Sequence, residues 1–116
     1  MKLFVGALAL VALAGCSTPT MPEMRQSEPA KTYSSNKPED ALAKCILFAW
    51  QDSSLSGGGM PMGMQPGRDG GKSVYAGNRE YFADVISAKQ GTSIKYYEIA
   101  NSWVSKILKS EIEACL

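Results

Sequence analysis

Residues 3–15, Leu-Phe-Val-Gly-Ala-Leu-Ala-Leu-Val-Ala-Leu-Ala-Gly, run without a charge or a proline directly after Met1 and Lys2. As a helix these thirteen residues rise about 20 Å, well short of the roughly 30 Å hydrocarbon core of a bilayer. They have no polar face, so they do not suit the surface of a folded core either. One positive charge followed by an apolar run of this length is the pattern of a secretory signal peptide. The folded protein is therefore expected to be built from the residues after this run, outside the cytoplasm.

The run ends in Leu13-Ala14-Gly15-Cys16. These four residues resemble a bacterial lipobox, and the resemblance covers residues 1–17. It implies that the Cys16 thiol receives a diacylglyceryl group, that cleavage falls just before it, and that the new amine gains a further acyl chain. The small residues Ala14 and Gly15 suit a narrow protease site. Two or more chains hold a protein stably on a bilayer, so the resemblance makes the chain a lipid-anchored bacterial lipoprotein. Ser17, rather than Asp, resembles the outer-membrane sorting pattern of enteric-type bacteria. Outer-membrane anchoring is thus expected, with the face on which the domain stands left open. Residues 38–116 carry no family resemblance.

The sequence holds twelve Lys and Arg against eleven Asp and Glu, and removing residues 1–15 takes away Lys2 alone. The balance, with no basic cluster, argues against nucleic acid as a partner, because that affinity rests on many phosphate contacts. It argues equally against an electrostatic membrane patch. There is no histidine, which removes the commonest general base and metal ligand together with every Ser-His or Cys-His nucleophile. No cofactor is implied, and a non-enzymatic module is the expectation.

With Cys16 given to lipid, Cys45 and Cys115 remain as an even pair in an oxidising compartment, which reads as one disulfide. There is no CxxC spacing to suggest redox chemistry.

Pro, Ser and Thr dominate residues 17–37, with no apolar periodicity, so residues 16–37 read as a lipidated cysteine and a disordered tether. The domain then occupies residues 38–116. A first helix is expected from near Pro38, with Leu42, Cys45, Ile46 and Ala49 on one face and Trp50 packing at its end. Residues 53–71 hold seven Gly and two Pro, and Met60-Pro61-Met62-Gly63-Met64 would set three thioethers on one face of a short strand. Residues 72–76 read as a returning strand, and residues 78–89 and 92–99 as a hairpin turning at Gly91. The strand through Tyr81-Phe82-Ala83-Asp84-Val85-Ile86 is apolar on both faces, which predicts a central position. A last helix runs to Cys115, capped by Asn101 or Ser102, with Val104, Ile107, Leu108 and Cys115 on its inner stripe. The fold class is α+β: a small α-β-β-β-α domain, an antiparallel sheet with two helices on one face and the Cys45–Cys115 staple.

Three constellations could carry function. Met60, Met62 and Met64 offer soft ligands suited to Cu(I), although Met also fills gaps in small cores. Glu80, Asp84 and Glu98 could supply paired acids for an envelope hydrolase, but nothing in their spacing forces a pair. Tyr75, Tyr81, Tyr96 and Tyr97 with Trp103 could make an aromatic contact surface. The formal Gly71-Lys72-Ser73 echo of a phosphate loop fails, because Pro66 stands where its first glycine belongs and the residues after it read as strand. The expectation is a membrane-anchored envelope module binding an envelope protein or a cell-wall ligand through the sheet. A Cu(I)-binding lipoprotein is the alternative.

Overall fold

A computed structural model describes residues 18–116. The expected signal segment and the expected lipidation site Cys16 lie outside the described residues. The elements, in chain order, are helix α1 (Met21–Arg25), strand β1 (Lys31–Ser35), helix α2 (Glu39–Gln51), the short turn α3 (Ser54–Gly57), strands β2 (Met62–Pro66), β3 (Lys72–Ala76), β4 (Tyr81–Ala88) and β5 (Gly91–Glu98), and helix α4 (Trp103–Cys115). Among the described residues no helix is long and apolar enough to cross a membrane.

The strands form one antiparallel sheet in the order β1-β5-β4-β3-β2. Strands β2 to β5 follow one another as a meander, and β4 is central, as its two apolar faces predict. One face, carrying Val74, Ala83, Val85, Ile94 and Tyr96, packs under α2 and α4. This is the expected α+β arrangement, with both long helices on one side of the sheet. The α2 residues that reach the core are Leu42, Ala43, Ile46 and Trp50, a face turned slightly from the expected one so that Ala49 is only partly buried. On α4 the buried stripe is Ser105, Leu108, Ile112 and Cys115. Ser102 caps this helix by accepting from the Ser105 amide.

Cys45 and Cys115 stand with Cα atoms 5.9 Å apart and their sulfurs bonded, within the spacing a disulfide requires. The Trp50 indole donates to the Leu108 carbonyl at 3.2 Å, so the two helices are joined by one covalent and one polar link. Across the sheet, the Tyr96 hydroxyl meets Ser105 at 2.7 Å, and Ser105 also bonds Glu98. Among the described residues no buried side-chain donor or acceptor is left without a partner, as a well-packed interior requires.

The largest departure from the sequence reading is at the start. Residues expected in a disordered tether form α1 and β1, so regular structure among the described residues begins at Met21 rather than at Pro38. Strand β1 adds to the β5 edge, Tyr33 opposite Ile94, and turns Tyr33 and Ser35 inward while its other residues stay wet. Gly91 permits the approach: it has φ +98, and a Cβ there would lie 2.2 Å from the Ser35 carbonyl oxygen. The sheet therefore gains β1 as a fifth strand, and α1 stands on the face opposite α2 and α4.

Candidate functional site

The face of the sheet turned away from α2 and α4 carries Ser73, Tyr75, Phe82, Asp84 and Tyr97, as strand alternation from the register dictates. Helix α1 lies across its centre. The helix starts with a capping box, the Thr20 hydroxyl accepting from the Glu23 amide while the Glu23 carboxylate bonds back to Thr20. Met21 is buried against Phe82 and Tyr97, with Met24 beside it. The two rings are stacked, their centroids 4.8 Å apart.

At the other end of α1, Arg25 closes on Asp84 with both arms of a fork, Nε to Oδ2 at 2.7 Å and Nη2 to Oδ1 at 2.8 Å. Ser73 joins both partners, accepting from Arg25 at 3.1 Å and donating to Asp84 at 2.7 Å. The guanidinium also lies 4.9 Å from the Phe82 ring centre. Its bond to the Asp84 carboxylate holds it protonated above the ordinary arginine range, against the opposing effect of burial. This unit clamps α1 to the sheet.

Beside α1 the open face leaves a cleft of about 930 Å³. Its lining combines Thr18, Thr20 and Met21 from the α1 segment with Gln65 and Arg68 and with Arg79 and Ile99. Arg79 is strained in its backbone and held by two side-chain contacts. It sits in the β3–β4 turn at φ +66, a left-handed conformation that costs a non-glycine residue about 1–2 kcal/mol. Its guanidinium lies 4.5 Å from the Tyr75 ring centre, and its Nε donates to Gln65 at 3.2 Å. The Tyr75 side chain in turn passes close over Gly63, where a Cβ would come within 2.4 Å of the phenol oxygen. A strained backbone kept in place by stacking is the kind of feature found at binding sites.

The candidates that the sequence singled out separate in space. Tyr81 and Tyr96 point into the helix-covered core, Tyr97 is covered by α1, and Tyr75 is half buried beneath Arg79. A continuous tyrosine surface is therefore not formed, because two of the four tyrosines fall on each face of the sheet. Trp103 is 67% exposed, and Phe48, which the periodicity did not single out, is 57% exposed. Asp84 and Glu98 lie on opposite faces, with Asp84 engaged by Arg25 and Glu98 by Ser105. Glu80 accepts from the Asn78 amide in the turn. The three acids do not converge. Met60, Met62 and Met64 are partly buried against the main core, which their packing accounts for. Among the described residues no group of three or more Asp, Glu, Cys or His could hold a metal ion.

The clamp and the cleft are not legible in the sequence, although one signal for α1 is present: Thr20-Met21-Pro22-Glu23 is a T-x-x-E capping box with proline in the first turn. No protein-family model matches this chain, and no curated protein or solved structure matches it either.

Proposed function

We propose that the chain is a lipid-anchored envelope protein acting as a binding module, with Cys16 carrying the lipid and the cleft on the open face of the sheet receiving the ligand. One observation carries the second half of this reading. The 930 Å³ cleft brings Arg68 and Arg79 to one surface, with Arg79 fixed by stacking on Tyr75, while Arg25 at the same cleft is taken up by Asp84. Fixed guanidinium groups favour anionic, planar or bidentate ligand groups, because little side-chain freedom is lost on binding. An acidic segment of an envelope protein or an acidic cell-wall group has that chemistry. Support for the anchor is the run of residues 3–15 followed by Leu13-Ala14-Gly15-Cys16.

The test is in-cell photo-crosslinking from position 66 or 68 on the cleft, with position 106 on the outer side of α4 as control. Capture of one envelope component from the cleft positions, weakened by Arg79→Ala, is the expected result. Equal capture from position 106 would remove the cleft from consideration. For the anchor, the intact mass of the mature protein should show acyl chains on a chain starting at Cys16, lost on Cys16→Ser.

A further inference from the structure

The order of residues 18–35 has a consequence for how an anchored form sits on its membrane. This inference rests on the lipoprotein reading of Cys16. Thr18, two residues from Cys16, lines the same cleft as Asn78, Arg79 and Ile99. Two Cα steps cover at most about 7 Å, so an acyl chain on Cys16 would join the described domain near this cleft. A long disordered tether would have left all orientations open.

The Ile99 side of the cleft carries exposed apolar groups. The strand ends of β3 and β5, the β3–β4 turn and the start of α4 meet there: the Ile99 amide donates to the Glu80 carbonyl at 2.9 Å, and the Tyr81 hydroxyl meets Ser102 at 3.1 Å. Ile99 is 40% exposed, and Trp103, four residues on and the first residue of α4, is 67% exposed. Tryptophan favours the headgroup level of a bilayer, where its ring is apolar and its N–H stays wet. The opposite end of the sheet, the β4–β5 turn at Lys89 and Gln90, lies a whole strand length away, about 25 Å for eight residues.

We infer that the end of the domain formed by the β3–β4 turn, Ile99 and Trp103 rests on the lipid headgroup layer of the anchoring membrane, so that the sheet stands upright with the β4–β5 turn pointing away. The occupant of this surface is the phospholipid interface itself. The short anchor supplies a high local concentration, so the surface needs little affinity of its own.

The sequence contains two tryptophans, and Trp50 is fully buried, so Trp103 is a built-in probe. Lipidated full-length product is reconstituted into phosphatidylethanolamine and phosphatidylglycerol vesicles with and without brominated acyl chains, which quench indole at short range. In parallel, residues 16–116, which contain every described element, are coupled through Cys16 to a maleimide lipid in the same vesicles. A roughly twofold loss of the Trp103 emission is expected in both samples, absent in Trp103→Phe. In Trp103→Phe/Lys89→Trp, the indole at the far turn should be unquenched. If mass spectrometry finds no lipid on Cys16 in cells while the coupled sample is quenched, the lipoprotein reading fails and the seating surface stands. If the coupled, folded sample shows Trp103 as unquenched as an indole at position 89, or position 89 as strongly quenched as Trp103, the inference is overturned.

Discussion

Helix α1 has only five residues, far too few to be stable alone, so the Arg25–Asp84 fork should decide whether it stays docked. Replacing Arg25 by Ala would leave the Asp84 carboxylate with Ser73 as its one remaining side-chain partner. Removing one member of a buried pair costs roughly 3–5 kcal/mol, and of an exposed pair 0–1. Asp84 is 12% exposed and Arg25 26%, so water partly replaces the lost guanidinium and an intermediate cost of about 2 kcal/mol follows. The lost contact over Phe82 adds on the order of 0.5 kcal/mol. For a domain of this size the sum lowers Tm by roughly 10–20 °C. The assay is thermal unfolding by circular dichroism, with the disulfide kept intact. Arg25→Ala/Asp84→Ala should be less harmful than the two single changes added together, because the double variant buries no lone charge. Trypsin gives a second readout: the wild-type chain should resist cleavage after Arg25, and Asp84→Asn should expose the same bond. A Tm unchanged within about 2 °C, or wild-type cleavage as fast as in Asp84→Asn, would refute the clamp.

Other consequences arise from the same structure. Reducing the Cys45–Cys115 bond, which closes a separation of 70 residues, should cost about 4 kcal/mol in the chain-entropy picture; a melting curve indifferent to reductant would contradict a structural disulfide. Tyr33, Tyr96 and Tyr97 are all pushed above the ordinary phenol value of 10.0, chiefly by burial. The folded state keeps protons that the unfolded chain has lost, so stability is complete below pH 10 and declines as pH rises beyond it. Phenolate absorbance should then rise together with unfolding, and early ionisation of these three in a chain that stays folded would be the wrong outcome. Replacing Met60, Met62 and Met64 together by Leu should leave the fold and any cleft crosslink intact with a Tm change of a few degrees; loss of a bound Cu(I) with loss of function would favour the copper alternative instead.

How far the fold was legible depended on where its information lay. Apolar alternation and helical spacing located β4, β5, α2 and α4, because those elements bury large side chains and their pattern is a direct imprint of the core. The two cysteines fell on inner helix positions, and their pairing followed. Strand β1 was hidden because Lys31-Thr32-Tyr33-Ser34-Ser35 has one apolar residue, as an edge strand with its outer groups in water can tolerate. Its pairing is dictated by β5, far along the chain, and not by its own composition. The clamp was hidden for the same reason. Arg25 and Asp84 are 59 residues apart, and nothing local marks either as a partner. Asp84 did carry a hint: a carboxylate midway along a central apolar strand must find a counter-charge or stay out of the sheet. The cleft is a product of that docking, since α1 supplies part of its lining.

The clamp and the anchor are mechanically connected, and this yields the last expectation. With α1 docked, five Cα steps separate Cys16 from Met21, at most about 17 Å. Were α1 to undock, the first fixed point would become Ala30, whose amide donates to the Tyr96 carbonyl at 2.8 Å. Fourteen free steps reach about 50 Å extended, and roughly 20 Å on average as a coil. The sheet would survive, because β1 is held by its own ladder with β5. Lengthening the tether lowers the effective concentration of the seating surface at the bilayer and frees the domain to rotate. Arg25→Ala in the lipid-coupled protein should therefore reduce brominated-lipid quenching of Trp103 while the near-ultraviolet spectrum of buried Trp50 is retained. If quenching persists when α1 has become accessible to protease, the surface holds itself to the membrane, and the length of free chain after Cys16 is not what sets the orientation.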